Sequence, residues 1–431
     1  MGSFRSDLIA VSKSRLTVLV CGIATSIITA RFLGPEGNGV IAALTVYPDI
    51  FMVFGSLGIR QVTTYFVGQK KYSDNEIFST VSLLWFISSV VSLIVCYFLV
   101  NYTIKNEYSN HLLFLAIIPI PFALFNTYSS GIFLGKNQIK EFNAVNWIPN
   151  VIKLIVFVLL IIVFPLDVKG ALIGLALGYV ILTFFVWKKL KPIITGFKFI
   201  LKSEVLKRMI SLGAIYAISL LIINLNYKVD VIILERLSSE RQVGLYTKGV
   251  SIVQYLWEVP TLLSTIVFAR SASSKAPKDF SFKVTKLLRI CLVIILFGSI
   301  VFYLLSEFIM VALYGKEFLE SSTVQKYLLP GIFLLTLFKV LNMDLAGRGK
   351  PWLAIFSTLP ALVLNIILNY SWAAEFGANG AALASTISYS VSAIIFLIVY
   401  SRTVNISIGE ILMFKKDDFD FLREVKNKIK K

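Results

Sequence analysis

"ARFLGPEGNGVIAALTVYPDIFMVFGSLGIR" (Ala30–Arg60) places a Gly/Pro-rich turn between two apolar runs and sets one aspartate, Asp49, inside the second run. An acid within an apolar helix belongs either to the core of a soluble enzyme or to a membrane span, and the composition separates the two. The chain has 431 residues, 57% hydrophobic and only 15% charged, whereas soluble domains carry about a quarter charged residues. Apolar runs near twenty residues recur from end to end, the length that crosses a ~30 Å hydrocarbon layer. The sequence is that of an all-α polytopic membrane protein. In that setting Gly34–Gly37 predicts a tight outer turn joining the first two spans. Arg31 then sits at its outer mouth and Asp49 at mid-depth.

Working outward, charge and Gly/Pro breaks delimit spans near 12–30, 40–58, 77–100, 111–134, 147–164 and 171–187. A second set lies near 210–234, 245–269, 287–313, 327–346, 352–372 and 381–400. With both termini cytoplasmic, roughly three quarters of the 42 Lys and Arg residues fall on the inner side, as topology signals do. One missed span would flip every later loop and erase that contrast. The net charge of +18 therefore reads as positive-inside bias, not as a nucleic-acid surface. The single histidine, His111, and the scattered Cys21, Cys96 and Cys291 offer no zinc spacing and no disulfide framework.

The two sets repeat one another. "RFLGPEGNGV" (Arg31–Val40) parallels "RLSSERQVGL" (Arg236–Leu245), and "GALIGLALGY" (Gly170–Tyr179) parallels "GAALASTISY" (Gly380–Tyr389). The offset is about 205–212 residues. Six spans per copy make the repeat parallel, about an axis along the membrane normal, and transporters place their substrate site between such copies. The expected organisation is a bundle over 1–187, a basic amphipathic linker over 188–209, a second bundle over 210–400 and a basic tail over 401–431. Linker and tail read as helices lying in the inner headgroup layer.

Asp49, Lys153, Lys228, Asp230, Glu258, Lys339 and Asp344 fall well inside spans. Each costs ~2.5–3.5 kcal/mol at the middle of a lipid-facing helix. Together that is on the order of 20 kcal/mol, more than the net stability of a domain. They must face one another or a wet cavity. Asp49, Asp230, Glu258 and Asp344 are candidates for coupling to a H+ or Na+ gradient, because a carboxylate in low dielectric titrates towards neutral pH. Arg60 and Arg270, at the inner ends of spans two and eight, suit the oxygens of a phosphate.

These residues resemble a known family. "ARFLGPEGNGVIAAL" (Ala30–Leu44), "DVIILERLSSERQVGLYTKG" (Asp230–Gly249) and the "GRGKPW" turn (Gly347–Trp352) resemble the O-antigen and exopolysaccharide flippases of the multidrug/oligosaccharidyl-lipid/polysaccharide exporter superfamily. The resemblance covers nearly the whole chain. It implies two six-helix bundles in a V shape, in the bacterial inner membrane. It implies alternating access that carries an undecaprenyl-diphosphate-linked oligosaccharide to the outer leaflet, a coupling cation, no other cofactor, and a polysaccharide polymerase and chain-length regulator as partners. Arg31, Arg60, Lys228 and Arg270, with Lys153 and Lys339, are then the expected diphosphate and sugar contacts. The acids among them depart from the strongly cationic cavity of the family. The rival expectation is a cation-coupled multidrug exporter of the same fold. A membrane enzyme would need a larger outer loop than any present.

Overall fold

The computed structural model describes residues 2–69, 72–104, 108–136, 138–194, 196–272, 276–414 and 418. Among them the chain is helical almost throughout. Nine helical stretches are long and apolar enough to cross a membrane. Two of these, Gly2–Gly55 and Ile355–Val404, are each broken once, at Gly34 and Gly377, and so supply two spans apiece. Span eight is absent from the nine because a 3₁₀ turn at Tyr255–Trp257 splits it into Glu240–Gln254 and Glu258–Ala272. With it the number of spans is twelve, as the sequence predicts. Large apolar side chains such as Phe98, Phe297 and Phe308 stand exposed, which suits helices whose outer faces meet lipid.

The predicted outer turn at Gly34–Gly37 is a correction of detail. It is no loop but a single-residue break, with Gly34 at φ 62° and helix on either side. That backbone angle costs glycine nothing and penalises any residue with a Cβ. Pro35 follows at the start of span two, where its fixed φ fits a helix and no donor is needed. The carbonyls freed at the break go to Asn38, whose Nδ2 donates to Thr29 O at 2.8 Å and to Gly34 O at 2.6 Å. A second correction concerns the linker. The single surface helix expected over 188–209 does not form: Asp167–Leu190 ends, residues 191–194 turn, 197–202 are neither helix nor strand, and a helix resumes at Ser203. Pro192 and Gly196 (φ 75°) explain the interruption. Of the tail, 401–404 continue the last long helix and Ile408–Leu412 form a short one, and residues 415–417 and 419–431 lie outside the described residues.

Contacts divide the chain into two compact units, Met1–Asn224 with Ser238–Gly244, and Leu225–Leu237 with Leu245–Lys431. The helix Ser203–Leu237 contributes to both. In the first unit the repeat shows itself physically. A Cβ on Gly39 would meet Glu240 O at 1.9 Å, and one on Gly244 would meet Pro35 O at 1.8 Å. Pro35 and Glu240 are related by the same offset as Gly39 and Gly244, so the two repeated turns cross each other reciprocally, glycine on backbone. Arg241 and Glu36 add an ion pair at 3.6 Å beside the crossing, and Tyr108 Oη donates to Glu240 Oε1 at 3.0 Å. Further in, Phe157, Ile161 and Ala171 form a core with Ile28, Leu33, Ile41 and Leu175 around them.

In the second unit an arginine that the sequence reading passed over holds the tail. Arg289, 3% exposed, binds Asp418, 1% exposed, through two bonds of 2.7 Å, and its Nη1 donates to the carbonyls of Glu410 and Ile411 at 3.0 and 3.1 Å. Both charges are thus buried, paired and saturated with hydrogen bonds, the condition under which burial of an ion pair is tolerated.

Candidate functional site

Asp230 is the best-formed polar centre within a span. Its side chain is wholly buried. It sits on the stretch of Ser203–Leu237 that belongs to the second unit, facing spans eight, eleven and twelve. Its Oδ2 accepts from Tyr246 Oη and from Ser385 Oγ, both at 2.8 Å, and its Oδ1 accepts from Asn369 Nδ2 at 2.8 Å. Asn369 Nδ2 also reaches Asn365 Oδ1 at 2.7 Å, and Asn365 Nδ2 donates to Asn226 O at 3.3 Å. Ser388 Oγ closes the cluster on Asn226 Oδ1 at 2.8 Å.

Proton counting exposes a deficit. Tyr246 Oη and Ser385 Oγ lie 3.1 Å from each other as well as 2.8 Å from the carboxylate. Two hydroxyls supply two protons for three oxygen–oxygen contacts, so when both donate to the carboxylate the contact between them carries no hydrogen. A proton on Asp230 or a bound cation would complete it. Beside it, Asn369 Oδ1 is buried with no hydrogen-bond partner, which is costly unless something else meets it. Carboxylate, hydroxyl and amide oxygens accept a proton's hydrogen bond or ligate a hard cation. No group of three or more His, Cys, Asp or Glu capable of holding a metal occurs among the described residues.

Next to this centre stands an aromatic cluster. Tyr227, Trp257 and Tyr389 lie with ring centroids 5.6–5.9 Å apart, and Lys339 Nζ sits 4.1 Å over Trp257 and 5.3 Å from Tyr227. The quadrupoles of the rings favour the ammonium there. Glu258 lies within electrostatic reach of Lys339. In the first unit Asp49 and Lys153, both half-buried, are likewise within electrostatic reach of one another, with Tyr179 near Asp49. Each unit therefore brings a candidate acid to a candidate base.

Asp344 is different. It accepts from Ser271 Oγ (2.5 Å), Ser281 Oγ and Tyr400 Oη (both 2.7 Å), and from Arg348 Nε and Nη2 (both 3.0 Å). Every lone pair is used, so this carboxylate joins spans eight, nine, ten and twelve. Arg31 and Arg270 are exposed, and Arg60 and Lys228 half-buried. Arg31 and Arg60 bracket span two, roughly 30 Å of helix at ~1.5 Å per residue, so they lie towards opposite ends of it.

Sequence reasoning weighed only charges and so missed Asn226, Tyr246, Asn365, Asn369, Ser385 and Ser388. A signal existed: Asn365 and Asn369 stand at i,i+4 in an apolar span, on one helical face.

A twelve-span helical protein with buried polar centres of this kind has the fold of the multidrug/oligosaccharidyl-lipid/polysaccharide exporters. The solved structure of the lipid II flippase MurJ in an inward closed conformation superposes with TM-score 0.75 at 16% identity, over 96% of this chain and 88% of that one. An inward-facing multidrug transporter of the MATE family gives 0.75 at 15%, over 92% and 98%. The chain belongs to the polysaccharide biosynthesis protein family, whose model matches residues 7–269. Among its relatives is a candidate O-antigen transporter of Shigella flexneri, 24% identical over 398 residues, 88% of this chain and 93% of that protein. The protein is a multi-pass membrane transporter of the polysaccharide-flippase type, and its family and structural neighbours are transporters, not enzymes.

Proposed function

We propose that the protein moves an undecaprenyl-diphosphate-linked oligosaccharide from the inner to the outer leaflet of the cytoplasmic membrane by alternating access, and that a H+ or Na+ taken up at Asp230 drives it. The buried Asp230–Tyr246–Ser385 triangle, three oxygens within 3.1 Å of one another and two hydroxyl protons between them, carries the coupling half of this reading. Membership of the family and likeness to an O-antigen transporter over most of the chain support the substrate half. Arg31 and Arg60, towards opposite ends of span two, would meet the diphosphate at different stages of its passage, with Lys228 and Arg270 as further contacts. Asp49 and Glu258 are secondary coupling acids, each relieved of its lysine when that base turns to phosphate. Asp344, already saturated, is a joint in this reading, not a carrier.

The multidrug alternative rests on the equal likeness to a MATE transporter. An organic cation would seek the aromatic cluster in the second unit, but Lys339 already occupies its rings. That favours an anionic cargo.

Asp230→Asn keeps the shape, turns one of the two accepting oxygens into an NH2 donor and removes the titrating group. In proteoliposomes carrying a fluorescent undecaprenyl-diphosphate oligosaccharide, this variant is expected to lose at least about tenfold of gradient-driven flipping, the equivalent of ~1.4 kcal/mol in the barrier. Separate proton and sodium gradients identify the ion. Flipping at the wild-type rate by Asp230→Asn would remove the residue from coupling. Failure of the wild-type protein to flip this lipid, with efflux of an organic cation instead, would turn the reading to the multidrug exporter.

A further inference from the structure

The first unit contains a recess on elements that carry none of the candidate coupling acids. Spans three, four and six and the start of the linker enclose a cleft of about 130 Å³. Its walls are aromatic: Trp85 packs edge-on to Phe125 at 5.4 Å, and Phe125 lies 6.3 Å from Trp187. Two polar atoms on these walls are satisfied, and Ser82 and Ser129 add hydroxyls to the lining. Trp85 Nε1 donates to Pro121 O and Tyr128 Oη to Gly55 O, both at 2.9 Å. A mainly aromatic and aliphatic cleft of this size suits hydrocarbon; an engineered apolar cavity of ~150 Å³ binds benzene.

The linker closes one side. Ile194 and Phe197 line the cleft, and the irregular stretch 197–202 is tied to the start of span three. Ile200 N donates to Ser79 Oγ at 2.8 Å, Lys198 N to Asn75 Oδ1 at 3.4 Å, and Lys202 pairs with Glu76. The charge along this part of the linker is basic, while Asp74 and Glu76 at the start of span three are taken up by Lys136 and Lys202. Lys188, Lys191 and Lys198, all exposed, adjoin the lining residues Trp187, Leu190 and Phe197, and residues 188–203 include no acid. Phe199, Ile200 and Leu201 stand exposed on the same strap, as in a segment resting in a headgroup layer.

We infer that this cleft binds an acyl chain of a resident anionic phospholipid, whose phosphate is held by Lys188, Lys191 and Lys198. Charge complementarity selects the anionic headgroup, and the aromatic walls select the chain. None of Arg31, Arg60, Lys153, Lys228 or Arg270 lies on the elements that form the cleft, which favours a resident lipid over the transported one. The bound lipid would pin the strap against span three.

The test uses the intact protein in phosphatidylcholine nanodiscs containing about one tenth brominated-chain phosphatidylglycerol or, in parallel, brominated-chain phosphatidylcholine. Bromine in the cleft quenches Trp85 and Trp187. The expected result is a preference for the anionic lipid on the order of fivefold for each lysine engaged. That preference should vanish in Trp85→Phe/Trp187→Phe, which removes the reporters, and fall in Lys188→Gln/Lys191→Gln/Lys198→Gln. Ser82→Phe, grown from an exposed lining residue, fills the cleft with little risk to folding, and size-exclusion chromatography checks each variant. Equal quenching by the two lipids would overturn the inference, as would a preference that survives both Ser82→Phe and the triple glutamine variant. Displacement of the brominated lipid by stoichiometric undecaprenyl phosphate would also overturn it, by assigning the cleft to the isoprenoid tail.

Discussion

Gly244→Ala is expected to force apart the two repeated turns of the first unit. The added Cβ would lie 1.8 Å from Pro35 O and 2.7 Å from Pro35 C, and both obstacles are backbone, so no rotamer change relieves the clash. Gly39→Ala meets Glu240 O at 1.9 Å for the same reason. Overpacking of this kind costs about 1–3 kcal/mol and sometimes more. The two substitutions attack one contact from its two sides, so their costs should not add. Once either has parted the turns, the second costs little. Replacing Glu36 and Arg241 by cysteine in a background without Cys21, Cys96 and Cys291 gives the readout with a short bifunctional maleimide, because the tips of these long side chains meet at 3.6 Å. The reagent should cross-link the native crossing, and either alanine should lower the yield severalfold. Unchanged cross-linking and thermal stability in Gly244→Ala would show that the turns do not rest on one another.

Arg289→Ala should be the most damaging single change in the second unit. It strands the carboxylate of Asp418, 1% exposed, with no cation, and leaves the carbonyls of Glu410 and Ile411 without their donor. Removing one partner of a buried pair costs about 3–5 kcal/mol. A large fall in the unfolding temperature in detergent is the expected result. Arg289→Met with Asp418→Leu removes both charges and should recover most of the loss, since apolar replacements of buried pairs are often neutral. If Arg289→Ala melts with the wild-type protein, the clamp contributes nothing and the tail is held by other means.

The spans were legible because each needs an apolar run of fixed length, and because a miscount would scramble the lysines and arginines. The break at Gly34 was legible as an interruption but not as a single-residue one, since nothing in "LGPEGN" (Leu33–Asn38) announces that Asn38 will reach back to Thr29 O. The linker misled for a physical reason: its apolar spacing is helical, but Pro192 and Gly196 override the pattern. Candidate acids could be found from the cost of burying charge. Their partners could not, because Asp230 is met by neutral Tyr246, Asn369 and Ser385, whose residue types are unremarkable in a span. Arg289 lay where a span was predicted to begin and so passed for a topology residue.

The first contact unit is completed by Ser238–Gly244, residues that follow the seventh span. A nascent chain that has delivered only its first six spans therefore lacks the backbone on which Pro35 and Gly39 come to rest. Translation has to proceed beyond Gly244 before the earliest hairpin can dock. A gene cut between the two copies would consequently yield an amino-terminal fragment with an empty socket at that hairpin, filled only when the other fragment is co-expressed.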